Sequence, residues 1–310
     1  MKRTLILLLQ AAAVLLLTAA CQADLLTEQD ETLISDPSAP IKLKGSAPIS
    51  VNGAVTRAEQ EIKFSLTAVL DRYGYGAIPH FTNVIATLPS SSNEPQNISF
   101  STHYWPLNGK QLQFIGIMNG KGEAVNIIDN GSAGKLYIES GPGIEKDILM
   151  SDNLIGNKTG FTNTIQYMRF KHLTARLTIK PGKVVRRVTC DISGGTEMNT
   201  YLFWGKEFTV NLMTPYTISY DTNNGEQTYY LVPNSSSYEY NKITELTNVT
   251  IDGKSRYDPI KITDDTGKEA SLDIAAGKSY TIVISSEAAK LMVSSSPTID
   301  TTWEDGGIIN

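Results

Sequence analysis

From about residue 49 onward the chain keeps an apolar period of two, and this period constrains its fold more than any other feature. Ile62, Phe64, Leu66, Ala68 and Leu70 alternate with Lys63, Ser65, Thr67 and Val69. Successive side chains of a strand point to opposite faces, so the first set lines one face of a pleated ribbon. Runs of the same kind are Gln111–Met118, Ala124–Ile128, Lys135–Ile138, Lys183–Ile192, Glu207–Leu212, Gln227–Val232, Ile260–Thr263 and Lys278–Ile284. Between them, Asn119-Gly120, Asn130-Gly131, Asn224-Gly225 and Asp252-Gly253 tolerate the positive φ that tight hairpins need. No stretch sustains a helical apolar stripe. The expected class is all-β, with short strands and frequent hairpins, as in β-sandwiches.

The run Phe170–Ile179 bears most directly on architecture. Leu173, Ala175, Leu177 and Ile179 share one face, and Thr174, Arg176, Thr178 and Lys180 the other. Phe170 has the opposite parity, which predicts a bulge or a change of sheet near His172. Pro181-Gly182 ends the run, and the expected domain junction lies there. A chain of 310 residues has room for two ordinary domains, 49–180 and 181–310.

The first residues set the compartment. Lys2 and Arg3 precede the apolar run Leu5–Leu17, and Thr18-Ala19-Ala20-Cys21 closes it. That is the layout of a bacterial export signal over 1–20, shorter than the ~20 apolar residues of a membrane-spanning helix. A cysteine directly after two alanines resembles a lipobox, which implies a lipid anchor on Cys21. Residues 21–48 then read as a tether, acidic over Ala23–Glu31 and rich in Ser and Pro over Ser35–Pro40. The counts of 27 basic and 32 acidic residues give −5, and loss of Lys2 and Arg3 gives 25 − 32 = −7. Such a balance, with no local basic run, excludes a nucleic-acid partner. Cys190 is the only other cysteine and reads as a small buried strand residue.

Little in the chain points to catalysis. His80, His103 and His172 are the only histidines, far apart in sequence and without Cys or Glu at ligand spacing, so no metal is expected. Gly277-Lys278-Ser279 has a leucine, Leu272, where a phosphate loop needs its first glycine. Asp221-Thr222-Asn223-Asn224-Gly225 lacks the distal glutamate of a calcium loop. No Gly-x-Ser-x-Gly elbow occurs. Neither an enzyme nor a cofactor is expected. Trp105, Trp204 and Trp303 read as core or interface aromatics before they read as sugar platforms.

A set of short motifs, in order, resembles the fimbrillin family of Bacteroidales, the subunits of type V pili. They are the signal ending at Cys21, Thr56-Arg57-Ala58 before the first strong strand, and His103-Tyr104-Trp105-Pro106-Leu107 ahead of Leu112-Gln113-Phe114. Asp147-Ile148-Leu149-Met150-Ser151, Phe170-Lys171-His172-Leu173, Ala276-Gly277-Lys278-Ser279-Tyr280 and Trp303 follow. The resemblance implies two tandem transthyretin-like β-sandwich domains with Greek-key character. It also implies a lipoprotein precursor at the cell outer membrane, cut between Arg57 and Ala58, and assembly into a surface fimbria by donor-strand exchange. Its partners would be other fimbrial subunits, the outer membrane through the lipid, and a host or bacterial surface receptor.

The residues allow that scheme. Ile49, Val51 and Val55 alternate with small or polar residues before Arg57 and form the expected removable edge strand. Leu291, Val293, Ile299 and Trp303 share a parity near the other end and form the expected donor or closing strand. Pro297 interrupts that stretch, which suits a short tail and a tip or accessory subunit. The alternative reading is a non-polymerising surface lipoprotein that binds glycans through Tyr73, Tyr75, Trp105 or Tyr238.

Overall fold

The computed structural model describes residues 35–305 except 48–60, 71–77, 91, 108, 129–133, 162–165, 183–184, 193–196, 203–206, 213–214, 224–226, 234–241, 265, 273, 286–288 and 293–303. Among the described residues there is no α-helix, and the one helical turn is a 3-10 turn at Ile144–Lys146. In the first part of the chain the strands are β1 (Ser35–Pro40), β2 (Lys44–Ala47), β3 (Ile62–Leu70), β4 (Pro79–Leu88), β5 (Ser92–Asn97), β6 (Tyr104–Pro106) and β7 (Leu112–Asn119). Then come β8 (Lys135–Glu139), β9 (Gly141–Pro142), β10 (Ile148–Ser151), β11 (Leu154–Asn157), β12 (Gly160–Phe161) and β13 (Met168–His172). The later strands are β14 (Ala175–Pro181), β15 (Arg187–Ile192), β16 (Glu197–Tyr201), β17 (Glu207–Leu212), β18 (Tyr216–Asp221) and β19 (Gln227–Leu231). The last are β20 (Glu245–Ile251), β21 (Lys254–Ser255), β22 (Ile260–Thr263), β23 (Lys278–Ile284), β24 (Ala289–Met292) and β25 (Glu304–Asp305).

The first assembly is organised on β7, which pairs with β3 on one side and with β11 and β10 on the other. β10 passes the ladder on through β13 and β2 to β5. The alternation in β7 explains its central place. Leu112, Phe114 and Met118 enter one core, with Phe64, Leu66, Trp105, Met168 and Phe170. Ile115 and Ile117 enter another, with Leu136, Ile138, Leu173 and Met198. A strand apolar on both faces belongs between two packed layers. Gly116 is the gap in this pattern: a Cβ there would meet the Phe170 ring at 2.7 Å and Phe64 at 3.0 Å.

β3 was expected to show one polar face, yet Ser65 and Thr67 are buried. The segment 123–128 lies across them. Ser65 Oγ donates to Asn126 Oδ1 at 2.6 Å, and Asn83 brackets the backbone N–H and C=O of Ile127 at 2.9 Å each. Polar side chains are tolerated there because each hydroxyl has a partner.

The change of sheet expected near His172 is present. β13 pairs with β10 and β2, whereas β14 pairs with β19 and, in parallel, with β23. Leu173 and Thr174 make the crossing, so β14 pairs with the later strands, although a junction at 180/181 would group it with the earlier ones. The halves also share strands. β8 pairs with β16, and β9 with β19. The later strands wrap around a third core of Ala175, Leu177, Ile179, Cys190, Ile218, Leu246, Ile262, Ile282 and others. Asp252 and Gly253, with φ of 47° and 80°, form the left-handed pair expected between β20 and β21.

Residues 35–47 correct an expectation. The stretch read as tether contains β1 and β2, and Ile41, Leu43 and Ala47 belong to the first core. The physical reason is the order Ile41-Lys42-Leu43-Lys44. Its two aliphatic residues are buried and its two lysines are exposed, which is the pattern of a half-buried strand.

Candidate functional site

The N-terminal segment is inserted into its sheet, not laid along it. β2 runs parallel to β13, with Gly45 opposite Met168 and Ser46 opposite Arg169. Its other edge runs antiparallel to β5, with Lys44 opposite Asn97 and Gly45 opposite Gln96. Just before it, the Ile41 N–H donates to the His103 carbonyl at 2.8 Å, and the Ile98 N–H donates to the Leu43 carbonyl at 3.0 Å. β1 pairs with β6 at Ser35–Pro106 and Pro40–Tyr104. Asp36 is clamped between Lys158 Nζ at 2.5 Å and the Ser38 hydroxyl at 2.6 Å. The Lys158 ammonium, then Ser38, holds the Asp36 carboxyl down at about 2.

β6, which faces β1, is braced from behind. The His103 ring stacks on Phe81 with centroids 4.2 Å apart, and His80 Nε2 lies 2.8 Å from the Tyr104 carbonyl oxygen. Burial, and secondarily the neighbouring His80, lowers the pKa of His103. Trp105 is buried edge-on against Phe114, with centroids 5.6 Å apart and planes at 90°. Trp105 is therefore a core residue and offers no platform to a sugar.

A second polar cluster lies where the chain crosses between sheets. β10 and β13 pair with Leu149 opposite His172 and Ser151 opposite Phe170, so two of the short sequence motifs form one structural unit. His172 Nδ1 lies 2.9 Å from both carboxylate oxygens of Asp147, and Thr174 Oγ1 donates to Asp147 Oδ1 at 2.8 Å. All three side chains are buried. The Asp147 carbonyl accepts from Gly120 N–H at 2.8 Å, and the Thr174 carbonyl accepts from Gly277 N–H at 2.9 Å. The cluster thus ties a turn of the first assembly to the turn that opens β23. Its chemistry is that of a buried brace, in which the Thr174 hydroxyl is engaged as a donor to the Asp147 carboxylate.

Other expected site residues are placed as follows. Cys21, Ile49, Val51, Val55, Arg57, Ala58, Val293, Ile299 and Trp303 lie outside the described residues, as do Tyr73, Tyr75, Trp204 and Tyr238. Leu291 is in β24, its backbone opposite Ile282 of β23, and β24 lies between β22 and β23 in the later sheet. His80 and His103 are neighbours around Phe81 behind β6, and His172 lies apart in the Asp147 cluster. Among the described residues no group of three or more His, Cys, Asp or Glu could hold a metal. Ser279 of the Gly277-Lys278-Ser279 run accepts from Arg176 Nε at 3.0 Å within the sheet. Cys190 is wholly buried in β15, and burial pushes its thiol up to about 12. Sequence reasoning missed the insertion of 41–47 and the Asp147–Thr174 bond. The first had a signal in the Ile41/Leu43 alternation, whereas the second had none.

Comparison with known proteins agrees with this architecture. The chain resembles a candidate cell adhesion protein of Bacteroides uniformis, at 13% identity and a TM-score of 0.52, over 83% of this chain and 96% of that one. At that identity the likeness is one of fold. A fimbrial protein of Bacteroides vulgatus aligns over 81% of this chain and 97% of its own, at 13% identity and a TM-score of 0.42. A candidate cell adhesion protein of Bacteroides ovatus aligns over 84% and 96%, at 12% identity and a TM-score of 0.47. No curated protein matches the sequence. The model of one protein family, described as fimbrillin-like, matches residues 56–303. On that match, which spans most of its length, the chain belongs to the fimbrillin-like family.

Proposed function

We propose that this chain is a structural and adhesive subunit of a surface fimbria, exported as a precursor lipidated at Cys21 and matured by a cut between Arg57 and Ala58. The observation that carries this reading is the insertion of β2 between β13 and β5. β1 and β2 precede Arg57 in sequence, so a cut there separates them covalently from everything that holds them. Their departure leaves a slot with an unpaired edge on each side, which is what strand addition from a neighbour requires. In this proposal the removable strand is centred on Ile41, Leu43 and Ala47, and any pairing by Ile49, Val51 and Val55 extends it. The family membership and the fimbrial and adhesion neighbours support the cell-surface, subunit-binding role. The same resemblance supports a transthyretin-like organisation of two sandwiches, which we divide at Leu173-Thr174.

The test is Arg57→Ala in the native bacterium. The variant should reach the surface, remain full length from Cys21 and stay out of fibres, whereas wild type begins at Ala58 and is incorporated. Fibre entry by Arg57→Ala protein at the wild-type level would refute the proposal. A Cys21→Ala variant that remained membrane-bound would refute the anchor.

A further inference from the structure

The residues that fill the slot follow an uneven pattern. Ile41 and Leu43 are bulky and buried, and Gly45 and Ala47, the next two residues of that parity, are small and buried. Lys42 and Lys44 face solvent between them. We infer that the slot selects its incoming strand by size, accepting two bulky aliphatic residues followed at alternate positions by glycine and an alanine-sized residue, and running parallel to β13. This inference rests on the strand-exchange reading above and names the partner it requires: an extended segment of another subunit carrying glycine in the third socket.

The third socket decides the selection. A Cβ at Gly45 would sit 3.1 Å from Ile98 Cδ1 and 3.3 Å from the Met168 carbonyl oxygen. The second contact is backbone, held in register by the same parallel ladder that seats the strand, so it has little room to retreat. Ile98 Cδ1 is the end of a side chain and can yield, so the Met168 carbonyl is the contact that limits the socket. Alanine therefore fits only with a shift of a few tenths of an ångström, and the branches of valine or isoleucine do not fit. In the first two sockets the requirement is reversed: a polar or small residue forfeits the burial that Ile41 and Leu43 provide in the core with Trp105, Met168 and Phe170. The chain's own later segment has Leu291, Val293, Ser295 and Pro297 at alternate positions. Ser295 would bring a Cβ into the third socket, so this segment is the wrong shape and a different subunit is the fitting donor.

The experiment uses the full chain after its signal, with a specific protease site replacing residues 53–58 and cut in solution. Fluorescently labelled synthetic peptides of residues 35–47 are then exchanged into it and followed by anisotropy. The native peptide and a Lys42→Glu peptide should bind alike, whereas Gly45→Val and Leu43→Asp peptides should bind at least about tenfold more weakly. A peptide of residues 289–299 should also bind weakly. Equal binding of the native and Gly45→Val peptides overturns size selection while leaving strand exchange intact. Failure of the cut chain to release its segment and take up any peptide overturns strand exchange itself. In the uncut chain, Gly45→Val tests the socket without exchange: a fall in Tm supports it, and an unchanged Tm overturns it.

Discussion

Asp147 is the residue whose removal should most clearly separate a buried brace from an incidental contact. Its carboxylate is the shared acceptor of Thr174 Oγ1 and the near neighbour of His172 Nδ1, at 2.8 and 2.9 Å, in a site closed to water. Asp147→Ala takes that acceptor from both. A buried polar group deprived of its partner costs about 1–3 kcal/mol, so the expected loss is about 2–6 kcal/mol. For domains of this general size each kcal/mol moves Tm by about 2–4 °C, so a central value near 4 kcal/mol gives a fall of about 8–16 °C. Asp147→Asn keeps one oxygen able to accept from Thr174 and should lose less than half as much. Thr174→Val keeps the shape, removes one donor and should cost about 1–2 kcal/mol. Because both act on one network, Asp147→Ala combined with Thr174→Val should lose less than the sum of the two. Urea unfolding followed by tryptophan fluorescence, together with calorimetry, measures all four. If Asp147→Ala melts within about 2 °C of wild type, the cluster is not a brace and the reasoning fails.

Three further outcomes can be checked. Gly116→Ala should destabilise by at least about 1–3 kcal/mol in urea titration, because its Cβ meets the Phe170 ring at 2.7 Å in a core that cannot expand locally. Cys190, buried in β15 with its thiol pushed up to about 12, should resist iodoacetamide at pH 8 in the native protein and react once it is unfolded in urea, as read by mass spectrometry. Asp36 has a folded pKa of about 2 against an ordinary 3.8, so its pairing with Lys158 is fully present above pH 3.8 and lost as pH falls through about 2. Protection of the 35–47 amides, taken relative to the intrinsic exchange rate at each pH, should therefore fall between about pH 4 and pH 2, and Asp36→Asn should remove that dependence.

Much of the fold was legible in the sequence where local chemistry decides it. Gln111–Met118 reads as a strand, though its burial on both faces emerges only from the fold, and Asp252-Gly253 announced a left-handed hairpin turn that both residues adopt. The parity flip between Phe170 and Leu173 marked the sheet change to within a residue or two, because side-chain parity is set by backbone geometry alone. Pairing between distant segments was not legible. Leu136 and Ile138 announce a strand, but nothing in them says that β8 pairs with β16, some sixty residues on. β1 was hidden by composition: Ser35-Asp36-Pro37-Ser38-Ala39-Pro40 reads as linker, and its strand is held by β6 and by the Asp36–Lys158 pair, not by propensity. The candidate site divides along the same line. Ile41 and Leu43 were visible as an alternating pair, whereas a buried aspartate and threonine joined across a turn leave no trace in a periodicity.

The placement of β2 has a further bearing on how a cut strand could leave. Two bulky anchors, Ile41 and Leu43, bring about 3–6 kcal/mol gross, from which the ordering of the segment must be subtracted. While the chain is continuous, the segment returns to its slot at an effective concentration on the order of millimolar, so even a small net gain keeps it in place. Once cut, it competes as a free peptide and that advantage is gone. The consequence extends beyond the slot, because among the described residues the ladder partner of β5 is β2. β5 is mostly exposed and contributes little to the core, so its place in the sheet depends on a strand lying between it and β13. Loss of β2 therefore opens two edges together, and a single incoming strand restores both. Under the proposed scheme the empty state is short of a whole strip of sheet, which makes it costly to maintain and gives the replacement strand its driving force. Apolar burial supplies part of that force, and the closing of two backbone ladders at once supplies the rest.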